Sequence, residues 1–320
     1  MKHALSALVA LLSLASLASL ASLAGCQATG HTVVAATTTA GVVATGADLE
    51  AAIDQPGPVT VESIVAADWV VDRSGLIDLD HPKAKAAGLV DGDEPVELIF
   101  HAVRHPTRGL FLVDSGLERA FRDAPSKALV HGLGGKLAHL EKMKTRKLTG
   151  DWVAAQQEPV RGVFLTHLHV DHVLGLRDLP ASASVMVGPG DAKARSFENL
   201  FMAGVYDDAL EGKRPLEELA FRPDPSGLFA GVLDVFGDGT FWAISVPGHT
   251  AGSTAFVART PSGPVLLTGD ACHTKWGWDN GVEPGSFSVD RPRSVQSLAA
   301  LQQLAARHPT MAVRLGHQER

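Results

Sequence analysis

The chain has 320 residues, which is enough for one large domain or two small ones. Its content of 45% hydrophobic and 20% charged residues is typical of a globular protein. A formal net charge of -7, without a long basic stripe, argues against nucleic acid as the main partner.

The first 26 residues have the pattern of a secretory signal. Lys2 gives a short positive start, and an apolar run of Leu, Ala and Ser follows over residues 4–24. The run ends in Leu-Ala-Gly-Cys, which resembles the bacterial lipobox, in which the cysteine is lipidated and becomes the first mature residue. We therefore predict a lipoprotein signal peptide over residues 1–26 that ends at Cys26. The alternative is an ordinary secretory signal in which Cys26 is incidental.

A lipid on Cys26 would make the membrane a partner of this protein. The predicted location is the cell envelope, on the periplasmic face of the outer membrane if the source is Gram-negative. The alternative location is secreted or periplasmic. Cys272 is then the single cysteine of the mature body, so no disulfide forms within it.

Residues 27–58 are rich in Thr, Ala, Val and Gly and end in Gln-Pro-Gly-Pro. This composition predicts a flexible tether between the lipid and a folded domain over residues 59–320.

The body alternates between strand patterns and helical patterns. Strands are predicted at 59–61, 69–71, 96–100, 109–113, 162–166, 185–187, 232–236, 240–246, 254–258, 265–268 and 311–315. Helix formers cluster at 137–147, a helix-and-loop stretch covers 191–230, and a helix with Ser294 as N-cap covers 294–306. Runs of strands with helices between them predict an α/β sandwich in which helices cover sheets.

The segment THLHVDH at 166–172 directly follows the apolar run at 163–165. It places three histidines and an aspartate within seven positions. Neutral imidazole and carboxylate are the ligand types that suit zinc and similar divalent ions. The segment therefore predicts a metal site at a strand end.

Three more potential ligands each follow a predicted strand. His249 lies in the glycine-rich segment PGHTAGS, Asp270 ends LLTGD, and His317 ends RLGH. Strand ends are where loops collect functional groups on a rigid scaffold. Four such segments together favour one shared metal centre.

Over residues 95–320 the chain resembles the metallo-β-lactamase fold superfamily. The HxHxDH cluster, the GHTxGS turn, the GD strand end and the final histidine appear in the family's order. The resemblance implies a four-layer αββα sandwich. It also implies two metal sites, which use His167, His169 and His249 for the first, Asp171, His172 and His317 for the second, and Asp270 as the bridge.

Two divalent ions about 3.5–4 Å apart can share one hydroxide, because coordination lowers the pKa of water to about 7. We therefore predict a dinuclear metal-dependent hydrolase, with two ions that we expect to be zinc. Its substrate is a small-molecule ester or lactone, attacked by the metal-bridging hydroxide. Asp171 is the candidate to handle the released proton.

Within the superfamily, the closest resemblance is to the N-acyl homoserine lactonase and glyoxalase II groups. The segment HPTRGLFLVDSGL at 105–117 is similar to the opening of the lactonase group. Those lactonases often place a Tyr three residues after the bridging Asp, where this chain has His273. We predict that His273 donates the same hydrogen bond to the substrate carbonyl and is therefore catalytic.

The aromatic residues near the motifs leave alternatives open. Tyr206 is expected to be an ordinary, partly buried aromatic residue rather than one that reaches the site. Trp276, Trp278 and Phe287 either border an apolar acyl pocket or pack a loop against the core.

Two other functions remain possible from the sequence. One is a sulfur dioxygenase with a single iron, which resembles the persulfide dioxygenases and uses His167, His169 and Asp270. The other is a non-catalytic envelope lipoprotein that binds metal for stability. The oligomeric state is left undetermined by the sequence.

Overall fold

The computed structural model describes residues 27–35, 41–132, 135, 139–195 and 199–319. Two β-sheets, with eight and six strands among these residues, lie at its centre. In spatial order, the first sheet contains β1 (Val33–Ala35), β9 (Leu216–Glu218), β8 (Ser184–Val187), β7 (Val160–Phe164), β5 (Gly109–Val113), β4 (Asp93–His105), β3 (Thr60–Asp72) and β6 (Lys144–Thr145). The second contains β14 (Ala312–Arg314), β13 (Gly263–Leu267), β12 (Thr254–Thr260), β11 (Phe241–Ser245), β10 (Gly231–Asp234) and β2 (Val42–Ala44).

Helices connect and cover the sheets. The α-helices are α1 (Gly46–Ile53), α2 (Arg73–Leu76), α3 (Pro82–Ala86), α4 (Ala120–Asp123), α5 (Thr149–Ala154), α6 (Val170–Val173), α7 (Asn199–Leu210), α8 (Lys275–Asn280) and α9 (Arg291–Arg307). Short 3-10 helices cover Pro125–Lys127, Leu140–Lys142, Leu176–Asp178 and Gly269–Ala271. None of the described helices is both long enough and apolar enough to cross a membrane.

The two sheets pack face to face through alternate residues of their strands. Phe164 of β7 contacts Phe241 of β11 and Phe256 of β12, with ring centroids 5.6 Å apart in both pairs. Their chain neighbours Val163 and Trp242 belong to the hydrophobic clusters on the opposite faces of the two sheets. This alternation follows from the period of two in a β-strand and makes each sheet apolar on both faces.

Both outer faces are covered by helices. On the second sheet, Leu49 and Ile53 of α1 join Leu298 and Leu301 of α9 in one buried cluster. On the first sheet, residues of α5 and α7, with Trp152 among them, bury its outer side. Helix, sheet, sheet and helix form the predicted four-layer αββα sandwich, and the predicted α/β fold class is confirmed.

The prediction of a flexible tether over residues 27–58 is wrong for its described parts, 27–35 and 41–58. There β1 pairs with β9, β2 pairs with β10, and α1 begins at a capping box formed by Thr45 and Asp48. The side chains of Leu49 and Ile53 are fully buried. The composition suggested a linker because these elements are short. Strands β1 and β2 pair with distant strands, and α1 packs Leu49 and Ile53 into the core. The predicted signal peptide, with Cys26, lies outside the described residues.

Several predicted elements also differ in detail. The strands predicted at 59–61 and 69–71 are one strand, β3, and α9 is capped by Asp290 rather than Ser294. The described part of the predicted 137–147 helix is a 3-10 turn followed by β6, which pairs with β3. Strand β9 lies within the stretch predicted as helix and loop. These short segments take their conformation from strand pairing, which local sequence does not encode.

Candidate metal centre

The predicted ligands lie at the carboxyl ends of strands, at one end of the sandwich. His167 and His169 follow β7, while Asp171 and His172 belong to α6, which comes next. In the second sheet β13 is parallel to β14, and both are antiparallel to β12, so β11 runs in the same direction as β13. His249 follows the end of β11, Asp270 follows β13 and His317 follows β14. Strand direction therefore brings residues separated by up to 150 positions to one edge.

His167, His169 and His249, which we call the first histidine group, direct ring nitrogens at one point. The Nε2 atom of His249 lies 2.9 Å from Nδ1 of His169 and 3.1 Å from Nε2 of His167. Ligand atoms of all three lie within 4.8 Å of one another. Such an arrangement has the donor set and the spacing of a three-histidine metal site.

Asp171, His172, Asp270 and His317 form the second ligand group, also within 4.8 Å. Oδ2 of Asp270 lies 3.4 Å from Nε2 of His172 and 3.2 Å from Nε2 of His317. The same oxygen lies 3.7 Å from Nε2 of His167 and 3.5 Å from Nε2 of His249. The Asp270 carboxylate therefore lies between the two groups, where a bridging ligand belongs.

Hydrogen bonds on the far side of the rings fix which nitrogen faces the site. Nδ1 of His317 donates to the carbonyl oxygen of Glu97 at 2.9 Å, and Nδ1 of His172 faces Oδ2 of Asp114 at 2.9 Å. Nδ1 of His249 lies 3.1 Å from the hydroxyl of Ser288. With Nδ1 engaged, Nε2 of each ring is directed inward, as in the outer-sphere arrangement of histidine metal ligands.

Two buried polar atoms of the second ligand group have no hydrogen-bond partner among the described residues. They are Nε2 of His172 and Oδ1 of Asp270. Buried polar groups are rarely left unsatisfied, and neutral ring nitrogens that converge at about 3 Å repel each other through their lone pairs. Cations at both groups would remove both difficulties, so the residues present fit two divalent metal ions.

Burial also sets the protonation of the first histidine group. Burial, with the neighbouring His172 and His169 charges, lowers the pKa of His167 well below its usual value. Burial and the charge of His169 lower the pKa of His249 in the same way. Both rings are therefore neutral at neutral pH, the form in which imidazole binds a metal.

His273 lies beside Asp270 and faces the same centre. Its Nε2 atom is 3.3 Å from Oδ2 of Asp270, and its Nδ1 atom is 2.7 Å from Oε2 of Glu283. Burial opposes protonation, but the charges of Asp270 and Glu283 outweigh it and raise the pKa of His273 to about 10. The geometry brings His273 into the site as predicted, and it adds Glu283, which has a buried side chain.

Asp191 joins the two loops that carry the first histidine group. Its carboxylate accepts hydrogen bonds from the backbone nitrogens of Leu168 at 3.0 Å and Gly252 at 2.6 Å. It also accepts one from the hydroxyl of Thr250 at 3.0 Å. Leu168 lies between His167 and His169, so this buried carboxylate fixes the distance between their loop and the His249 turn.

Sequence reasoning missed Asp191, Glu283 and the role of Asp114. Asp114 ends β5 with a left-handed backbone, φ 59°, and accepts hydrogen bonds from the nitrogen and hydroxyl of Thr166. The DSG that follows β5 was the available signal for Asp114, because a polar residue at the end of a buried strand is a candidate for function. No comparable local signal marks Asp191 or Glu283.

A cavity of about 380 Å³ opens onto both groups of ligands. Tyr206 lines it, so the expectation that this residue does not reach the site is wrong. Of the aromatic residues left open, Phe287 lines the cavity, whereas Trp278 packs in the core beneath the second sheet. Trp276 packs against the buried cluster of β3 and α2. Cys272 is a free, buried thiol.

Comparison with known proteins identifies the family. The sequence profile of the Metallo-beta-lactamase superfamily matches residues 101–317, which is more than half of the chain. The chain belongs to this superfamily. Solved structures of low sequence identity share the same fold. A crystal structure of a quorum-quenching N-acyl homoserine lactone hydrolase has a TM-score of 0.57 at 16% identity, covering 82% of this chain and 94% of that one. A probable metal-dependent hydrolase from Staphylococcus aureus has a TM-score of 0.61 at 12% identity, covering 82% and 90%.

Curated relatives with similar sequences include proteins named as lactonases. The N-acyl homoserine lactonase AttM of Azorhizobium caulinodans is 32% identical over 150 residues, covering 44% of this chain and 53% of the relative. The gamma-lactamase MBL2 of Gibberella moniliformis is 34% identical over 124 residues, covering 36% and 51%. The chain thus spans about half the length of the curated relatives it matches.

Proposed function

We propose that this protein is a dinuclear metal-dependent hydrolase that opens a lactone or cleaves an ester. The observation that carries the proposal is the shared carboxylate of Asp270, whose Oδ2 atom lies within 3.7 Å of ring nitrogens from both ligand groups. Two complete groups of ligands support two ions rather than the single iron of a sulfur dioxygenase. They also argue against a purely structural role, since structural zinc sites are typically closed and mononuclear.

Two divalent ions, which we propose to be zinc, would lower the pKa of water in the site to about 7 and polarise the substrate carbonyl. The protein supplies the surroundings for this reaction. We propose that Asp171, whose Oδ2 atom is 3.3 Å from Nε2 of His317, accepts the proton that the reaction releases. His273 lines the cavity with Nε2 3.3 Å from Oδ2 of Asp270, and we propose that it donates a hydrogen bond to the substrate carbonyl.

The relatives support a lactone as substrate. Several matched proteins carry the name N-acyl homoserine lactonase, and one structural neighbour is described as a dizinc quorum-quenching lactonase. That neighbour has a TM-score of 0.52 at 17% identity. Because the chain covers only about half of the curated relatives, the lactone remains our proposal for this protein.

The test combines metal analysis with a panel of substrates. We expect about two zinc ions per purified chain, and hydrolysis of acyl lactones or aryl esters in preference to thioesters and phosphodiesters. The substitutions His169→Ala and Asp270→Ala should each abolish hydrolysis and reduce the metal content. Full activity in either variant would exclude this mechanism, and one iron per chain would favour the dioxygenase.

We also propose that the protein is lipid-anchored in the cell envelope through Cys26. The segment that follows this cysteine belongs to the folded body. Gln27 forms a β-bridge with Arg195, Ala28 is buried, and the backbone nitrogen of Gly30 donates to Asp207 at 2.8 Å. Metabolic labelling with radioactive palmitate should label the wild type in the membrane fraction, and Cys26→Ser should be unlabelled. A labelled Cys26→Ser variant contradicts the anchor.

A further inference from the structure

Half of the apolar residues that line the cavity beside the ligand groups precede the superfamily match. The apolar lining residues are Trp69, Val71, Leu76, Val96, Val170, Met202, Tyr206 and Phe287. Four of these, at positions 69–96, come from β3, α2 and β4 and lie before residue 101, where the superfamily match begins. The apolar lining away from the metal ligands is therefore shared between this N-terminal region and the matched domain.

The charge of the lining indicates what the cavity can accept. Among the described residues that line it, none is a lysine or an arginine, and the carboxylates are Asp72, Asp171 and Asp270. A phosphate or carboxylate on the substrate would therefore meet no lysine or arginine side chain among these lining residues. Since burying an unpaired charge is costly, the cavity suits an uncharged, apolar substituent.

Phe287 occupies one side of this cavity by lying across Gly75. A Cβ atom built on Gly75 would overlap the ring of Phe287 and lie 2.6 Å from its Cδ2 atom. Gly75 belongs to the short helix α2, a conformation that alanine also adopts readily. The glycine is required here by the space that the ring occupies and not by the backbone conformation.

Backbone hydrogen bonds hold the two segments together. The nitrogen of Phe287 donates to the carbonyl oxygen of Gly75 at 3.0 Å. The nitrogens of Ser286 and Gly285 donate to the carbonyl oxygens of Ser74 and Leu76 at 2.8 Å each. The ring is 40% exposed, so it forms the outer part of the cavity wall and not its floor.

We propose that Gly75 and Phe287 together determine which acyl groups the site accepts. The ring, packed against Gly75, forms the apolar wall that contacts the distal part of an uncharged acyl chain. Gly75 acts only through the ring and is a positioning residue. The inference rests on the proposed function, because only a hydrolase of esters or lactones would bind an acyl group here. The apolar wall itself is tested by ligand binding alone.

The test uses methyl ketones as uncharged, non-hydrolysable probes of the metal-loaded protein. Binding of 2-hexanone and 2-dodecanone is measured by calorimetry for wild type, Phe287→Ala, Gly75→Ala and the double variant. We expect each single substitution to weaken binding of the long ketone about 10-fold and to leave the short one within about 2-fold. In the double variant, Gly75→Ala should add nothing further, because its effect passes through the ring.

A second readout separates the wall from simple damage to the fold. Gly75→Ala should lower Tm by overpacking, and Phe287→Ala should relieve that loss in the double variant. Val289→Ala is the control, because Val289 is 75% exposed and does not line the cavity. Val289→Ala should leave the binding of both ketones unchanged.

Two outcomes would overturn the inference: additive losses in the double variant, or equal losses for the short and long ketones. Neither outcome bears on hydrolysis. If the wild type binds ketones as expected but cleaves no ester or lactone, the proposed function fails and the wall remains. If the protein cleaves esters or lactones but ketone binding does not depend on chain length, the proposed function stands and the inference about the wall fails.

Discussion

Glu283 accepts hydrogen bonds from both the backbone nitrogen and Nδ1 of His273, each at 2.7 Å. Its other carboxylate oxygen accepts from the nitrogen and hydroxyl of Thr274, both at 2.9 Å. One buried carboxylate therefore fixes the backbone and the ring orientation of a residue that faces Asp270. In metal sites, such outer partners commonly affect activity or metal affinity 10–100-fold.

Replacing Glu283 should reduce catalysis without emptying the site. We expect Glu283→Ala to lower kcat about 10–100-fold while the metal content stays at the wild-type level, because His273 loses its orientation. Glu283→Gln should recover part of the loss, since an amide oxygen still accepts the Nδ1 hydrogen. Kinetics on the best lactone or ester, with metal analysis, checks this. Glu50→Gln, in a surface ion pair with Arg307, is the control. Unchanged kcat in Glu283→Ala would refute the role.

Replacing Asp191 should weaken metal binding at the first histidine group. Asp191→Ala removes the acceptor shared by the loops of Leu168 and Gly252, so the three rings lose their fixed spacing. We expect metal affinity there to fall about 10–100-fold while the second ligand group keeps its ion. Titration with a chelator and metal analysis should show close to one tightly bound ion per chain.

Asp224 provides a matched control for Asp191. It also accepts several hydrogen bonds from backbone nitrogens, including those of Gly46 and Phe229. Neither of these residues belongs to a loop that carries a metal ligand. Asp224→Ala should lower stability without releasing metal. If both variants lose metal equally, Asp191 has only a general structural role.

The segment predicted as a tether should contribute strongly to stability. Leu49 is fully buried against the second sheet, so Leu49→Ala should lower the free energy of unfolding by about 2–5 kcal/mol. Val43 in β2 is 49% exposed, and Val43→Ala should change the free energy of unfolding by no more than about 0.5 kcal/mol. Urea unfolding measures both. A Leu49→Ala variant as stable as wild type would restore the tether interpretation.

Acid should destabilise the fold through His101, a buried residue of β4. Burial, followed by the charge of Arg314, lowers the pKa of His101 to about 3. In the unfolded chain its pKa is about 6.5, so the unfolded state binds more protons between pH 6.5 and 3. Stability due to this residue is therefore present above pH 6.5 and is lost as the pH falls through that window.

The size of this effect follows from the shift. At pH 4.5 the loss should be about 3 kcal/mol, at 1.36 kcal/mol for each pH unit below 6.5. His101→Gln should remove that part of the pH dependence while keeping a polar partner for the hydroxyl of Ser63. Urea unfolding at pH 7 and 4.5 compares the two proteins. An equal pH dependence in both contradicts the assignment.

Most of the fold was predictable because its strands carry strong local patterns. The apolar runs that become β5, β7, β12 and β13 were predicted close to their observed bounds. Each is buried on both faces, so its hydrophobicity is continuous and visible in sequence. Elements such as β1, β2, β6 and β9 have two or three residues and acquire their conformation from a partner strand. Their local sequence is too short to predict them as strands.

The ligand set was also predictable, since each member lies beside a recognisable strand end. His167, His249, Asp270 and His317 occur in short motifs whose residue types are hard to explain without metal. Their outer partners are a different case. Asp191 and Glu283 are ordinary acidic residues in loops, and their significance depends on which backbone nitrogens approach them.

The sequence by itself determined the class of chemistry, because histidine and carboxylate at four strand ends define a divalent-metal centre wherever those ends meet. Only the tertiary structure decided that they do meet, with Asp270 between two ligand groups. It also decided that residues 41–58 form a strand and a helix of the folded body, and it decided what supports and borders the ligands: the hydrogen bonds of Asp191 and Glu283, and the ring of Phe287 packed against Gly75. The physical reason is that strand patterns and ligand types are local properties, whereas burial, hydrogen-bond partners and the space beside a glycine depend on residues far away in the chain.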